Sequence, residues 1–188
     1  MRKYLALVSA LFLPLGAFAQ TTWKVDPQHS RLGFAVTHLG ISDVSGAFRK
    51  FDATVQATKA DFSDAKFELT VDTTSIDTAV EKRDDHLRSP DFFAVSEHSK
   101  MTFRSNRIEP AGKDRYKLSG ELTIRGQTRP ITAELWYRGT TQNQKNTTAG
   151  FQLTATLKRS DFGVGEKFKP PMISDEVRIQ ADGEFIRQ

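Results

Sequence analysis

Apolar and polar residues alternate along most of the chain downstream of about residue 20. In one segment, for example, Phe67, Leu69 and Val71 are separated by Glu68 and Thr70. This alternation places the apolar side chains on one face of an extended strand and predicts antiparallel strands that bury a single side. The segments with this spacing are 32–36, 65–71, 116–124, 131–137, 151–157 and 177–181, with shorter candidates at 48–55 and 100–108.

One stretch is helical in character. A helix is predicted over residues 79–87, and Thr78 and Glu81 form a capping box that satisfies backbone N–H groups at its start. Pro90 disfavours helical geometry in the residue before it and so ends the helix. One face of this helix is expected to carry Val80, Arg83, Asp84 and Leu87, which places an ion pair beside the apolar contacts.

Short polar turns are predicted between strands at residues 110–114, 125–128 and 140–148. About eight strands and one inserted helix predict an all-β fold, an antiparallel barrel whose closure removes aggregation-prone sheet edges. The lumen of such a barrel is either filled by side chains or just wide enough for one slim ligand. Inward-facing phenylalanines suit both, so the pattern leaves a packed core and a ligand cavity as open alternatives.

Residues 1–19 have the composition of a secretory signal peptide. Arg2 and Lys3 precede an apolar stretch, and a small-x-small cleavage pattern ends at Ala19. The stretch is shorter than the roughly 20 residues of a membrane span, which argues against an uncleaved anchor. Cleavage would leave one domain over residues 20–188 and lower the formal charge from +4 to +2. A protein so nearly neutral is not expected to bind nucleic acid.

Residue types that carry catalysis or metal binding are sparse. The absence of cysteine excludes disulfides, thiolate zinc sites and thiol catalysis. The four histidines, His29, His38, His86 and His98, lack the short spacing of zinc motifs. The sequence also contains no nucleophile elbow and no phosphate-binding loop. We therefore expect no catalytic residues, no metal and no cofactor.

A series of short motifs, in order along the chain, resembles the YceI family of exported bacterial proteins. They are WKVDPQHS from residue 23, SIDT from 75, KRDDHLRSPDFF from 82, GELTIRGQTRP from 120, RSDFG from 159 and ISDEVRI from 173. Ala79 stands where the family commonly has glycine, and Ala94 where it often has an acidic residue. Neither departure threatens the fold.

The resemblance implies an extended, lipocalin-like eight-stranded barrel around a long apolar ligand. The implied ligands are polyisoprenoids, including isoprenoid quinones, with fatty amides or acids as related classes. It also implies a periplasmic location, a tendency to form homodimers and no catalysis. A carrier of such a lipid would exchange it with a membrane, so transient contact with a membrane surface is expected.

On this interpretation, inward side chains of several strands line a hydrophobic tunnel, and two further residues lie near the polar head of the ligand. The predicted tunnel residues are Phe34, Val36, Phe67, Leu69, Phe103, Leu122, Leu135, Phe151, Leu153, Val177 and Ile179, and the predicted head-group contacts are His38 and Arg159.

Two other function classes remain open. A stress-linked periplasmic interaction protein would use the barrel only as a scaffold and would expose an apolar patch. An enzyme acting on a lipid or quinone head group would place His38 or His86 at the tunnel mouth beside a carboxylate.

Overall fold

The computed structural model describes residues 20–188, so the predicted signal peptide lies outside the described residues. This part of the chain forms eleven strands, one α-helix and two short 3₁₀ helices. The elements are β1 (Thr21–Val25), β2 (Arg31–His38), β3 (Ser42–Phe48), β4 (Phe51–Ala57), β5 (Lys66–Asp72), a 3₁₀ turn (Thr73–Ser75), β6 (Ile76–Asp77), α1 (Glu81–Arg88), β7 (Lys100–Gly112), β8 (Arg115–Ile124), β9 (Gln127–Gln142), β10 (Thr147–Lys158), a 3₁₀ turn (Arg159–Phe162) and β11 (Ile173–Arg187).

The strands form a closed antiparallel barrel in which three of the long strands are interrupted. Both β1 and β2 pair with β11, through Trp23 opposite Arg187 and Phe34 opposite Ile179. In the same way β3 continues into β4, and β5 into β6. The eleven segments therefore make eight strand lines, and pairing of β1 with β11 closes the sheet. The predicted all-β fold, an eight-stranded barrel with one inserted helix, is confirmed.

The two ends of the barrel are built from different connections. One end, here called the mouth end, carries the β2–β3 turn at 39–41, the helical segment at 78–99, the β8–β9 turn at 125–126 and the loop at 159–172. The other, here called the closed end, carries the loop at 58–65 and the turns at 113–114 and 143–146. The helix and the longest loop both lie at the mouth end. Among residues 20–188, no helix is long and apolar enough to cross a bilayer.

The helix starts differently from the prediction. It begins at Glu81 with Val80 as its N-cap residue, and no side chain caps it. The Thr78 N–H and hydroxyl instead donate to the buried carboxylate of Asp84, at 2.9 and 2.5 Å. The predicted capping box was therefore wrong, because Asp84, rather than Glu81, reaches back to the residues that precede the helix. Arg83 donates to the Thr78 hydroxyl and carbonyl and does not form the expected ion pair.

Candidate functional site

An apolar cavity of about 360 Å³, here called the chamber, occupies the mouth-end half of the barrel. The strands β2, β3 and β11 form one wall of it, and α1 with the loops at 89–94 and 159–172 covers it. Its lining residues are Phe34, Val36, His38, Val44, Phe48, Thr78, Arg83, His86, Leu87, Phe92, Phe93, Met101, Ile124, Leu157, Arg159, Phe162, Val164, Phe168, Met172, Ile173, Val177 and Ile179.

The wall residues of the chamber face open space. Phe34, Val36, Val177 and Ile179 point inward but are only half-buried. A Cβ atom added at Gly46, in the neighbouring strand, would clash with the ring of Phe34. The missing side chain at Gly46 therefore lets this ring lie against the wall, and the lumen stays unfilled.

Aromatic rings form the cover of the chamber. Phe92 and Phe168 are stacked with ring centroids 4.9 Å apart and an interplanar angle of 11°. The His86 ring is nearly perpendicular to both, and its centroid lies 5.0 Å from that of Phe92 and 5.4 Å from that of Phe168. Gly165 has a φ of +63°, and a Cβ there would lie 2.6 Å from the Phe92 ring. Glycine at this position thus permits both the loop backbone and the aromatic stack.

Arg159 organises the loop that covers the chamber. Its side chain is buried, and all five of its N–H groups are donated to backbone carbonyls. The acceptors are the carbonyls of Val164, Gly165, Phe168, Ile173 and Ser174. Every N–H of the guanidinium is thus engaged by the backbone, and the head-group contact predicted for Arg159 stays a prediction.

A second arginine fixes the cover to the barrel. Arg125, in the β8–β9 turn, donates to the carbonyls of Pro90 at 2.8 Å and Phe92 at 3.1 Å. It also donates to the carbonyl of Gly163. One guanidinium therefore connects the segment after α1, the 159–172 loop and a barrel turn, which holds the aromatic cover in place.

Two smaller cavities continue the chamber toward the closed end. The first, of about 130 Å³, shares Phe34, Leu157 and Ile179 with the chamber. The second, of about 90 Å³, shares Phe103 and Leu153 with the first. Three apolar cavities thus follow one another along the barrel axis, and their volumes decrease with distance from the mouth end.

A cluster of aromatic rings closes the far end of the row. Phe62, from the 58–65 loop, lies inside the barrel with its ring 5.3 Å from Trp23 and 5.0 Å from both Tyr137 and Phe151. It is 2% exposed. Phe67 in turn packs edge-on against Phe151 at 5.4 Å. The bore ends at these rings.

Hydrogen bonds hold the loop that carries Phe62. The Asp64 carboxylate accepts bonds from the Thr58 N–H at 3.0 Å, the Thr58 hydroxyl and the Lys59 N–H at 3.1 Å. Burial would raise the pKa of Asp64, but these bonds outweigh it and lower the pKa below its ordinary value. The Tyr116 hydroxyl donates to the Asp61 carbonyl at 2.6 Å. The loop is therefore fastened on both sides of the phenylalanine.

All eleven residues predicted to line a tunnel border one or more of the three cavities. Those at the chamber are Phe34, Val36, Val177 and Ile179, and those at the deeper cavities are Phe67, Leu69, Phe103, Leu122, Leu135, Phe151 and Leu153. Two of the deeper residues, Phe67 and Phe151, also belong to the closing cluster. That any of them binds a ligand stays a prediction.

The sequence argument missed the part of the lining that comes from α1 and the segment after it. Arg83, His86 and Leu87 project from the helix into the chamber, and Phe92 and Phe93 follow. All five lie in the motif that starts at residue 82. Their spacing shows no strand period, so alternation could not identify them, whereas the density of aromatic and basic residues in that motif is a usable signal.

The polar groups available at the mouth are few. His38 and His86 are exposed, and the Arg83 side chain is half-buried. His86 Nε2 lies 3.7 Å from one carboxylate oxygen of Asp91, and Lys167 Nζ lies 2.6 Å from the other. Lys167 lowers the pKa of Asp91, with a smaller lowering from His86. His38, Arg83 and His86 are therefore the exposed or half-buried polar residues of the chamber lining, and the head-group contact predicted for His38 stays a prediction.

A separate group of possible metal ligands borders none of the three cavities. Ligand atoms of Asp26, His29 and Glu184 lie within 4.8 Å of one another. His29 Nδ1 and Asp26 Oδ2 are already hydrogen-bonded at 2.8 Å, which raises the pKa of His29 and lowers that of Asp26. The ion pair between His29 and Asp26, in the break between β1 and β2, is enough to explain why these side chains lie together.

Comparisons with known proteins agree with this architecture. The family model described as a YceI-like domain matches residues 23–185. A UPF0312 protein of Pseudomonas aeruginosa is 37% identical over 187 residues, which cover 98% of this chain and 96% of that protein.

Solved structures give the same result. The crystal structure of Burkholderia cenocepacia BcnA superposes with a TM-score of 0.75 at 29% identity, covering 85% of this chain and 98% of that one. A polyisoprenoid binding domain from Saccharophagus degradans superposes with a TM-score of 0.68 over 88% of this chain and 98% of that one. Its identity is 15%, so this second likeness concerns the fold alone.

Proposed function

The chain belongs to the YceI family, and from that premise we propose that it binds the apolar tail of a long-chain isoprenoid lipid in the chamber. The ligand class includes polyprenyl lipids and isoprenoid quinones. The protein would act as a carrier or store of this lipid in the periplasm, and not as an enzyme. The name of the Saccharophagus degradans domain, which has the same fold, supports the polyisoprenoid class.

The observation that carries the proposal is the unfilled apolar bore. The chamber of about 360 Å³ lies within the range of ligand pockets, roughly 300–1,000 Å³. Its walls are mainly aliphatic and aromatic, and its exposed or half-buried polar residues are His38, Arg83 and His86. The two smaller cavities extend it along the barrel axis. A slender apolar chain with one polar end matches this shape better than a compact polar molecule does.

The driving force would be removal of the tail from water. Each buried carbon of an isoprenoid chain is worth about 0.8 kcal/mol. Ordering of the flexible tail and incomplete burial offset part of this gain, and a membrane competes for the same tail. Net transfer from a bilayer would then be close to neutral, which suits a carrier that has to release its ligand.

Extraction of the purified full-length protein and mass spectrometry of the extract test the proposal directly. We expect a co-purifying isoprenoid lipid in wild-type protein. Ile179→Trp would place a large ring between the chamber and the next cavity, and lipid occupancy should fall severalfold. Gln180→Trp is the matched control, because the adjacent residue faces the outside of the barrel. Lipid-free wild-type protein, or equal occupancy in both variants, would contradict the proposal.

One observation favours an enzyme as a second candidate. His86 lies at the mouth beside Asp91, which is the arrangement that a head-group enzyme requires. However, Asp91 is also paired with Lys167, and His86 packs against two aromatic rings. We therefore propose that His86 contacts the head group without reacting. His86→Ala should carry the same lipid species as wild type, whereas a different species on the variant, the unreacted substrate, would favour the enzyme.

Two further parts of the proposal concern the whole protein. Residues 1–19 would be a signal peptide, so the intact mass of protein recovered from the periplasm should correspond to a chain starting at Gln20. A homodimer is expected from the family resemblance, and sedimentation of the purified protein would measure its oligomeric state.

A further inference from the structure

Large apolar side chains are exposed at one end of the molecule. Among the described residues these are Leu39, Ile41, Val80 and Met172, with Ile41 83% exposed. The first two lie in the β2–β3 turn, Val80 precedes α1, and Met172 precedes β11. All four, here called the apolar rim, therefore belong to segments that surround the opening of the chamber.

The β2–β3 turn keeps its leucine in a strained position. Ile41 N–H donates to the His38 carbonyl at 3.1 Å. Leu39 and Gly40, between them, have φ values of +52° and +73°. This is the backbone of a type I′ turn, in which Asn-Gly is preferred because a side chain in the left-handed region is strained. The turn thus holds an apolar side chain in water where a polar residue would fit the backbone better.

The apolar rim is continuous with the chamber. Leu39 N–H donates to the Met172 carbonyl at 3.1 Å, which fixes the turn against the loop before β11. Met172 and His38 also line the chamber, so a ligand entering it would pass these side chains. The exposed residues Lys82 and Lys169 lie in the same segments as Val80 and Met172, as do the exposed acidic residues Glu81 and Glu166, so the rim has charged neighbours of both signs.

We propose that the apolar rim inserts into the surface of a phospholipid bilayer, with its charged neighbours at the level of the head groups. The proposal rests on the proposed function, because a bilayer is where an isoprenoid lipid resides. Apolar side chains that enter the head-group boundary, with charged residues beside them, are typical of interfacial membrane attachment. The rim comes from three separate segments around an opening, and this shape fits a fluid surface better than a groove on a protein.

Vesicle binding tests the rim. Vesicles of phosphatidylcholine with phosphatidylglycerol, and of phosphatidylcholine alone, would be sedimented with full-length wild-type protein and with a Leu39→Asn/Ile41→Thr variant. We expect wild type to bind both kinds of vesicle, and the variant to bind each about a hundredfold more weakly. Asparagine suits the turn, so the variant should fold. Ile186→Thr, at the closed end, is the matched control and should bind like wild type.

Loading with lipid separates this inference from the proposed function. Polyprenol offered in detergent micelles should fill the variant as fully as wild type, whereas its uptake from vesicles should be slower in the variant. If the variant loads from micelles and still binds vesicles like wild type, or if wild type does not bind vesicles, the rim inference is overturned. If wild type binds vesicles but takes up no lipid from either source, the proposed function fails and the rim remains supported.

Discussion

The two ends of the barrel have similar inward-facing residues but differ in how the lumen is filled. At the closed end, Phe62 enters from a loop, and the aromatic residues around it are buried except for Tyr137, which is partly buried. At the mouth end, inward residues such as Phe34 and Ile179 are only half-buried, because no loop residue occupies the space between them. The strands build the same wall at both ends, and the connecting segments decide whether it encloses a core or a cavity.

Removal of Phe62 should have the largest effect and would break this contrast. Phe62→Ala deletes a ring that touches three other aromatic rings, and loss of a core phenylalanine costs about 3–5 kcal/mol of unfolding free energy. Phe168→Ala, in the half-buried cover of the chamber, should cost at most about half as much. Urea unfolding of both variants measures the difference. Equal losses would mean that the mouth end is as tightly packed as the closed end.

The second-largest effect is expected for Arg159→Lys, which tests whether the hydrogen bonds of Arg159 hold the cover of the chamber in place. A lysine has one nitrogen and cannot satisfy the five carbonyls that accept bonds from Arg159, so we expect a loss of about 2–4 kcal/mol. Lipid occupancy should fall as well, because the 159–172 loop would loosen. Arg178→Lys is the control, since its exposed ion pair with Asp43 is screened by solvent and should contribute little to stability.

Strand alternation predicted which way the inward residues face, but not what fills the space between them. The eleven predicted residues border the cavities because a period of two fixes the face of each strand residue. The buried position of Phe62 was not predicted, because this residue lies in a loop and has a left-handed backbone, with a φ of 60°. The role of Arg159 depends on carbonyls up to fifteen residues away, which no local pattern records.

Acid should weaken the closed end through Asp64. The folded pKa of this carboxyl lies below its ordinary value of 3.8, so its hydrogen bonds stabilise the fold above about that pH. As the pH falls through the folded pKa, the unfolded chain binds more protons and this contribution is lost. Asp64→Asn should lower the melting temperature at pH 7, and the difference from wild type should shrink as the pH falls below 3.8. A difference that stays constant with pH would show that the charge of Asp64 contributes nothing.

The smallest expected effect comes from backbone strain, which is concentrated at the mouth end. Ala79 and Ala94 both have positive φ, at 62° and 48°. Ala79 is exposed, so Ala79→Gly should relieve strain without losing packing and raise stability by about 0.5–1 kcal/mol. Ala94 is 2% exposed, and Ala94→Gly would lose the burial of its methyl group, which offsets the relief. Thermal unfolding of both variants measures the difference. A gain in stability for Ala79→Gly with little change for Ala94→Gly would show that strain at an exposed position of the mouth end can be relieved without loss of interior packing. Equal gains would instead mean that the methyl of Ala94 contributes no packing, and that the cover of the chamber is looser than its burial implies.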